Sequence, residues 1–185
     1  MTSSRPTRNV QITNLVVSQI GWFAAVLSAA HGLPLLGTAC VLAAIGWHLR
    51  ISARPRQEAR LIAFACLIGF VFESVNSWQG NVRYPSGQFD PRIAPYWIVA
   101  LWGLLAIALN VTVRWLKPHL WLAALVGGVA GPVSFSSGVR LGGADFVRTV
   151  PALAVLALGW SLLLPLLVWL STRFDGVAVA SATDA

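Results

Sequence analysis

With 185 residues, 57% hydrophobic and only 10% charged, the chain cannot clothe a water-facing surface, for which about 25% charged residues is usual. Its thirteen Lys and Arg outnumber six Asp and Glu, for a net charge of +7. These cations sit at the ends of apolar runs and form no basic stripe with interleaved aromatics. That pattern argues against nucleic-acid binding and makes them topology signals and lipid-headgroup contacts.

Apolar runs of about 18 to 20 residues recur along the chain, the length that a hydrocarbon layer of about 30 Å requires of an α-helix. They predict an all-α membrane protein, a bundle of six transmembrane helices: Thr13 to Ala30, Leu33 to Leu49, Ala59 to Trp78, Ala94 to Leu116, Leu120 to Val139 and Val150 to Leu170. The expected organisation is a cytoplasmic tail at 1–12, one six-helix domain at 13–171, and a cytoplasmic, disordered tail at 172–185. Only His31 and Gly32 part the first two spans before Leu33-Pro34, so these form a tight hairpin. Cys40 and Cys66 lie inside apolar runs, give neither a disulfide framework nor a zinc spacing, and are expected as small buried hydrophobes.

Basic residues at the span ends set the orientation, because Lys and Arg are retained in the cytoplasm. Arg5, Arg8, Arg50, Arg54, Arg56, Arg60, Arg114, Lys117 and Arg173 fall on one side, and only Arg83, Arg92, Arg140 and Arg148 on the other. Both termini are therefore expected in the cytoplasm. The first span also has the basic start and small-residue end of a signal peptide, but its removal would leave an odd number of helices and weaken the charge asymmetry. Trp47, Trp78, Trp97, Trp115, Trp121 and Trp169 lie near span ends, where indole favours the interface.

Polar residues inside these spans need a reason to be there. Glu73, in the outer half of the third span, costs about 2.5 to 3.5 kcal/mol at membrane depth unless it is protonated, paired or facing a wet cavity. Gly69, Asn76 and Ser77 share its helical face, which is expected to turn into the bundle. On the fourth span Asn110 and Arg114 are one turn apart, with Trp102 two turns earlier on the same side, and Arg114 can snorkel to the surface. Asn14 and Gln19 on the first span lie at a depth similar to Asn110, suggesting an inner polar layer.

In the fifth span Gly127 and Gly131 permit close helix contact, whereas Pro132 removes a backbone donor and predicts a kinked or broken helix. Ser134, Ser136 and Arg140 follow, on the same outer side as Glu73 and Asn76. A Glu73 to Arg140 pairing is the corresponding expectation. The candidate site is thus Glu73, Asn76, Asn110, Ser134, Arg140, Gln19, Asn14 and Trp102. No nucleophile–base arrangement, metal-ligand spacing or phosphate-cradling loop is visible, so no metal and no cofactor is expected. His31, His48 and His119 each stand alone at a span end and read as interfacial polar residues, His31 sharing the outer side with Glu73.

A set of short motifs is more specific. Asn14-Leu15, Gln19 with Gly21-Trp22-Phe23, and Val26-Leu27 are followed by Ala94-Pro95, Trp97, Ala100-Leu101-Trp102, Leu109-Asn110 and Trp115-Leu116. Gly131-Pro132, Ser134-Phe135, Gly138, Leu141-Gly142, Gly159-Trp160 and Pro165-Leu166 complete the order. From about residue 13 to 170 the chain resembles an uncharacterised bacterial membrane family, domain of unknown function 2878. The resemblance implies a bacterial inner-membrane location and carries no established activity. Where that family usually has Asp near the end of the third span this chain has Glu73, and where it often has Tyr it has Phe135, which leaves no phenol at that position.

Three functions stay open: binding or handling of a lipid or amphipathic small molecule within the bundle, a lipid-modifying enzyme with Glu73 as acid or base, or an accessory or scaffold subunit of a membrane lipid-modification system. Membrane lipids are the expected partners, with membrane enzymes or further copies of the chain beside them.

Overall fold

The computed structural model describes residues 6–177; Arg5 and residues 178–185 of the expected tail lie outside the described residues. The elements are α1 (Arg8–Ala30), α2 (Pro34–Ile51), α3 (Pro55–Trp78), α4 (Tyr96–Leu109), α5 (Leu120–Arg140) and α6 (Thr149–Arg173), with two short strands, β1 (Val82–Arg83) and β2 (Asp145–Phe146). All the helices but α4 are long and apolar enough to cross a membrane. The protein is an all-α membrane bundle, and Leu35, Leu42, Leu67, Leu125, Leu158 and Leu162 point outward, each more than half exposed. Cys40 is exposed as well, so it is not the buried hydrophobe expected of it.

Local chemistry sets most of the helix ends. The Thr7 hydroxyl accepts the Val10 N–H and caps α1, so the helix starts inside the expected amino-terminal tail. Gly32 takes a left-handed φ of 73°, which a residue without a β-carbon adopts freely. Pro34 and Pro55 then open α2 and α3 at positions where a missing N–H costs nothing.

Two expectations are corrected, the second only in part, both for tertiary reasons. The fourth span was expected to run from Ala94 to Leu116, but α4 has 14 residues, about 21 Å of helix. It stops because Asn110 becomes its C-cap: Val111 and Val113 donate back to the Ala108 carbonyl, and a 3-10 turn follows at Arg114–Leu116. The Asn110 side chain is held by other elements, and those bonds override the apolar run. A helix that ends inside the bundle is tolerated because protein, not lipid, surrounds its backbone, and ten of the α4 residues are buried. The second is at Pro132, where of the expected kink or break the break does not occur: α5 runs from Leu120 to Arg140. A β-carbon at Gly127 or Gly131 would overlap Trp160 of α6, so close packing against that neighbour supports the helix through the proline.

The helices alternate in direction, so the start of α1 and the end of α6 share one end of the bundle, here the proximal end. At the distal end, β1 and β2 pair antiparallel, Val82 opposite Phe146 and Arg83 opposite Asp145. This two-stranded clip joins the 79–95 and 141–148 connections into a roof. Arg148 donates to the Gln79 carbonyl and to Asn81 Oδ1, both at 2.8 Å, and Ser86 donates to the Ala29 carbonyl. Helices α1 and α2, α3 and α4, and α5 and α6 pack as pairs, and α4 also packs on α1 and α2. Between α1 and α5 there is no such packing along their length, and the space left open there positions the candidate site.

Candidate functional site

Helix α3 turns one face inward, burying Glu58, Leu61, Ala65, Gly69, Glu73, Asn76 and Ser77. Two carboxylates on that face, near opposite ends of the helix, have different surroundings.

At the proximal end, Glu58 is fully buried and surrounded by donors. His48 Nε2 lies 2.8 Å from Oε2, while Asn110 Nδ2 and the Gly176 N–H donate to Oε1 at 2.7 and 2.6 Å. Asn110 Oδ1 accepts from Lys117 Nζ at 2.6 Å, and Asp175 binds both Lys117, at 2.9 Å, and Arg114, at 2.6 Å. Burial lowers the Lys117 pKa below the ordinary lysine value, against the upward pull of Asp175. Asn14 joins this end by donating to the Ile107 carbonyl and accepting from Thr112. Arg114 is therefore an ion-pair partner and does not snorkel. The described part of the carboxyl tail, 174–177, is clasped to the bundle and not disordered, because its backbone N–H at Gly176 satisfies Glu58.

Toward the distal end, Glu73 is 1% exposed and accepts from Tyr84 Oη at 3.1 Å. The Trp102 indole is directed at the same carboxyl group. Tyr84 follows β1 in the roof, packed edge-on against Trp97 at 5.9 Å and against Phe135 at 6.4 Å. Its own pKa is raised well above the ordinary tyrosine value, first by burial and then by the neighbouring Glu73 charge. Trp102 is fixed by stacking on Trp160, with ring centroids 4.7 Å apart, and by Gly69, where a β-carbon would overlap its ring.

Glu73 and Trp102 form part of the wall of a partly open cavity of about 310 Å³ bordered by α1, α3, α4, α5, α6 and the roof. Its lining runs from Leu15, Thr112 and Val113 at the proximal side to Gly143 and Ala144 under the roof, and includes Ser18, Gln19, Trp22, Trp97, Ser134, Phe135 and Trp160. Most of this surface is apolar. The buried Ser18 hydroxyl and Trp160 Nε1 have no hydrogen-bond partner among the described residues. On the bundle flank, between α1 and α5, a second opening of about 480 Å³ is lined by Gln19, Trp22, Phe23, Ser134, Ser137, Arg140 and Leu141. The two share Gln19, Trp22 and Ser134.

The structure thus brings Glu73, Trp102, Gln19 and Ser134 to one cavity and puts Arg140 at its side opening. It separates the rest of the expected site. Asn14 and Asn110 belong to the proximal clasp, Gln19 leaves the expected inner layer for the cavity, and Asn76 is buried off the cavity wall with no side-chain partner among the described residues. The expected Glu73 to Arg140 ion pair is absent among the described residues: Glu73 bonds Tyr84, and Arg140 is exposed. His31 is exposed and bonds the Leu27 carbonyl, away from the cavity, and Trp97 is not an interfacial residue but a buried one that donates to the Ser86 carbonyl.

Sequence reasoning did not find Tyr84, Ser18 or the Glu58–His48 pair. Tyr84 brings a phenol into ring contact with Phe135, where the sequence has none. Residues 11–166 match the model of a family described as a protein of unknown function (DUF2878). Neither the curated proteins nor the solved structures include a match to the chain.

Proposed function

The chain belongs to the DUF2878 family, and from that premise we propose that it is a bacterial inner-membrane protein, with cytoplasmic termini, that binds a lipid or amphipathic small molecule inside the bundle. The orientation rests on the excess of basic residues at the proximal end. Binding rests on one observation: a buried carboxylate with unused acceptor capacity faces a mostly apolar cavity of about 310 Å³. Cavities of about 300 Å³ and above, apolar with a few convergent polar groups, are where small ligands bind. A carboxylate offers about four lone-pair directions, and Tyr84 and Trp102 leave room for a protic group of the ligand, a hydroxyl or amine.

In this reading the apolar part of the ligand fills the space along α1 and α4, and Glu73 accepts a hydrogen bond from its polar head. A second reading, an enzyme acting on the same lipid, draws on the Tyr84–Glu73 bond as an acid–base pair. Comparing lipid profiles of deletion and parent strains by mass spectrometry separates the two, since a missing chemical species points to chemistry.

Native mass spectrometry of the purified protein, with a monoacylglycerol as probe, tests binding. Glu73→Gln keeps the shape, removes the anion and lowers probe retention about tenfold, the effect of losing a charge-assisted bond. Ser18→Leu fills the cavity and abolishes retention, with unfolding stability unchanged or slightly raised. Full retention by both variants would discard the cavity as the binding site.

A further inference from the structure

The opening between α1 and α5 has chemistry of its own. Its lining carries one cation, Arg140, and no carboxylate, and Gln19, Ser134 and Arg140 make no side-chain bonds among the described residues. Of the other arginines of the two distal connections, Arg83 pairs with Asp145 and Arg148 is bound to Gln79 and Asn81, whereas Arg92 is exposed and does not line the opening. Arg140 ends α5, where the helix dipole also favours a cation, so its charge is well tolerated without a partner. Beside it, Trp22, Phe23 and Leu141 supply apolar surface.

The opening lies on the flank of the bundle and shares Gln19, Trp22 and Ser134 with the inner cavity. A molecule dissolved in the membrane leaflet therefore meets a path from the side with a fixed positive charge and hydrogen-bonding groups at its mouth and an apolar interior behind it. Guanidinium is suited to planar, bidentate recognition of carboxylate and phosphate. At about 310 Å³ the cavity is at the small end for ligand sites, which suits one chain. Glu73 lines the cavity but not the mouth, so an anionic group at Arg140 does not face it directly, while a hydroxyl between that group and the chain can donate to Glu73.

Resting on the binding reading above, we infer that the α1–α5 opening is a lateral entry site for a single-chain amphiphile with an anionic headgroup, which Arg140 holds at the mouth while the chain lies in the cavity. Charge complementarity selects this occupant over a neutral or cationic one. Gln19 and Ser134 supply further hydrogen bonds to the head.

The probes are lysophosphatidic acid and the monoacylglycerol of the same chain, which differ only in the phosphate, offered to the purified protein and followed by native mass spectrometry at matched concentrations. Wild type is expected to retain the phosphate-bearing probe about tenfold better. Arg140→Gln is expected to erase that preference while still retaining monoacylglycerol, and Arg140→Lys to keep a large part of it. Glycerol phosphate, which has the head without the chain, is expected not to compete.

Equal retention of the two probes by wild type, or a preference untouched in Arg140→Gln, overturns the entry site while leaving the cavity reading intact. Competition by glycerol phosphate also overturns it, since a free anion would then be the ligand. If neither probe is retained, the cavity reading itself falls, and this inference with it.

Discussion

Glu58 and Glu73 lie on the same face of α3 and are both buried, yet their surroundings differ in kind. Glu58 is saturated by His48, Asn110 and the Gly176 backbone, and it does not line the cavity. Glu73 holds Tyr84 and Trp102 and borders open space. A buried carboxylate with its bonds already made serves the fold, whereas one with capacity to spare beside a void is available to a ligand. Burial alone does not tell them apart; the count of donors and the presence of space do.

The sharpest way to break this contrast is to truncate Glu58. Removing one partner of a buried pair costs about 3 to 5 kcal/mol, because the other partners are left desolvated and unpaired. Glu58→Ala strands His48 Nε2 and the Asn110 amide and releases Gly176, so a large fall in unfolding free energy and in membrane abundance is expected. Unfolding in detergent followed by tryptophan fluorescence reads it. A loss no greater than that of Glu73→Gln would erase the distinction between a structural and an available carboxylate.

The apolar runs revealed the five long helices well, because hydrocarbon thickness imposes length directly on sequence. The end of α4 was not legible. Nothing in Ala106 to Leu116 announces that Asn110 will be claimed by α3 and by the chain end, and hydropathy records only that the run continues. Glu73, Trp102, Gln19 and Ser134, which line one cavity, were singled out because polar or aromatic residues in apolar surroundings stand out. Glu58 escaped notice because it lies among Arg54, Arg56 and Arg60, where a charge reads as an ordinary interfacial residue. A signal was available all the same: His48 and Glu58 flank the short α2–α3 connection at positions that an antiparallel hairpin brings face to face. Tyr84 had no such signal, since the β1–β2 pairing that places it joins connections more than sixty residues apart.

A moderate effect is expected at Tyr84, which links the roof to Glu73. Tyr84→Phe deletes one hydrogen bond and costs about 1 kcal/mol, less than the loss at Glu58. The pH dependence is more specific. Tyr84 has a folded-state pKa well above the ordinary tyrosine value, so above that value the unfolded chain releases a proton that the folded protein retains. Its contribution to stability is therefore intact below the ordinary tyrosine range and declines as pH rises through and beyond it. Unfolding free energy is expected to fall more steeply with alkaline pH in wild type than in Tyr84→Phe. Parallel curves would mean that the phenol is not held in the dry contact with Glu73.

The smallest effect belongs to Arg83 and Asp145, whose side chains are 74% and 57% exposed and 3.3 Å apart. An exposed pair is worth about 0 to 1 kcal/mol and is screened by salt, although these two residues sit opposite each other in the strand register. The roof is positioned by other means: backbone pairing of β1 with β2, the Val147 donation to the Asn81 carbonyl, and Arg148 on Gln79 and Asn81. Arg83→Ala is therefore expected to leave ligand retention unchanged and to shift stability by less than about 1 kcal/mol, with the shift vanishing at high salt. A loss of retention comparable to that of Glu73→Gln would show that the roof transmits its geometry through this pair, and that the distal carboxylate depends on a tuned scaffold as closely as the proximal one depends on its clasp.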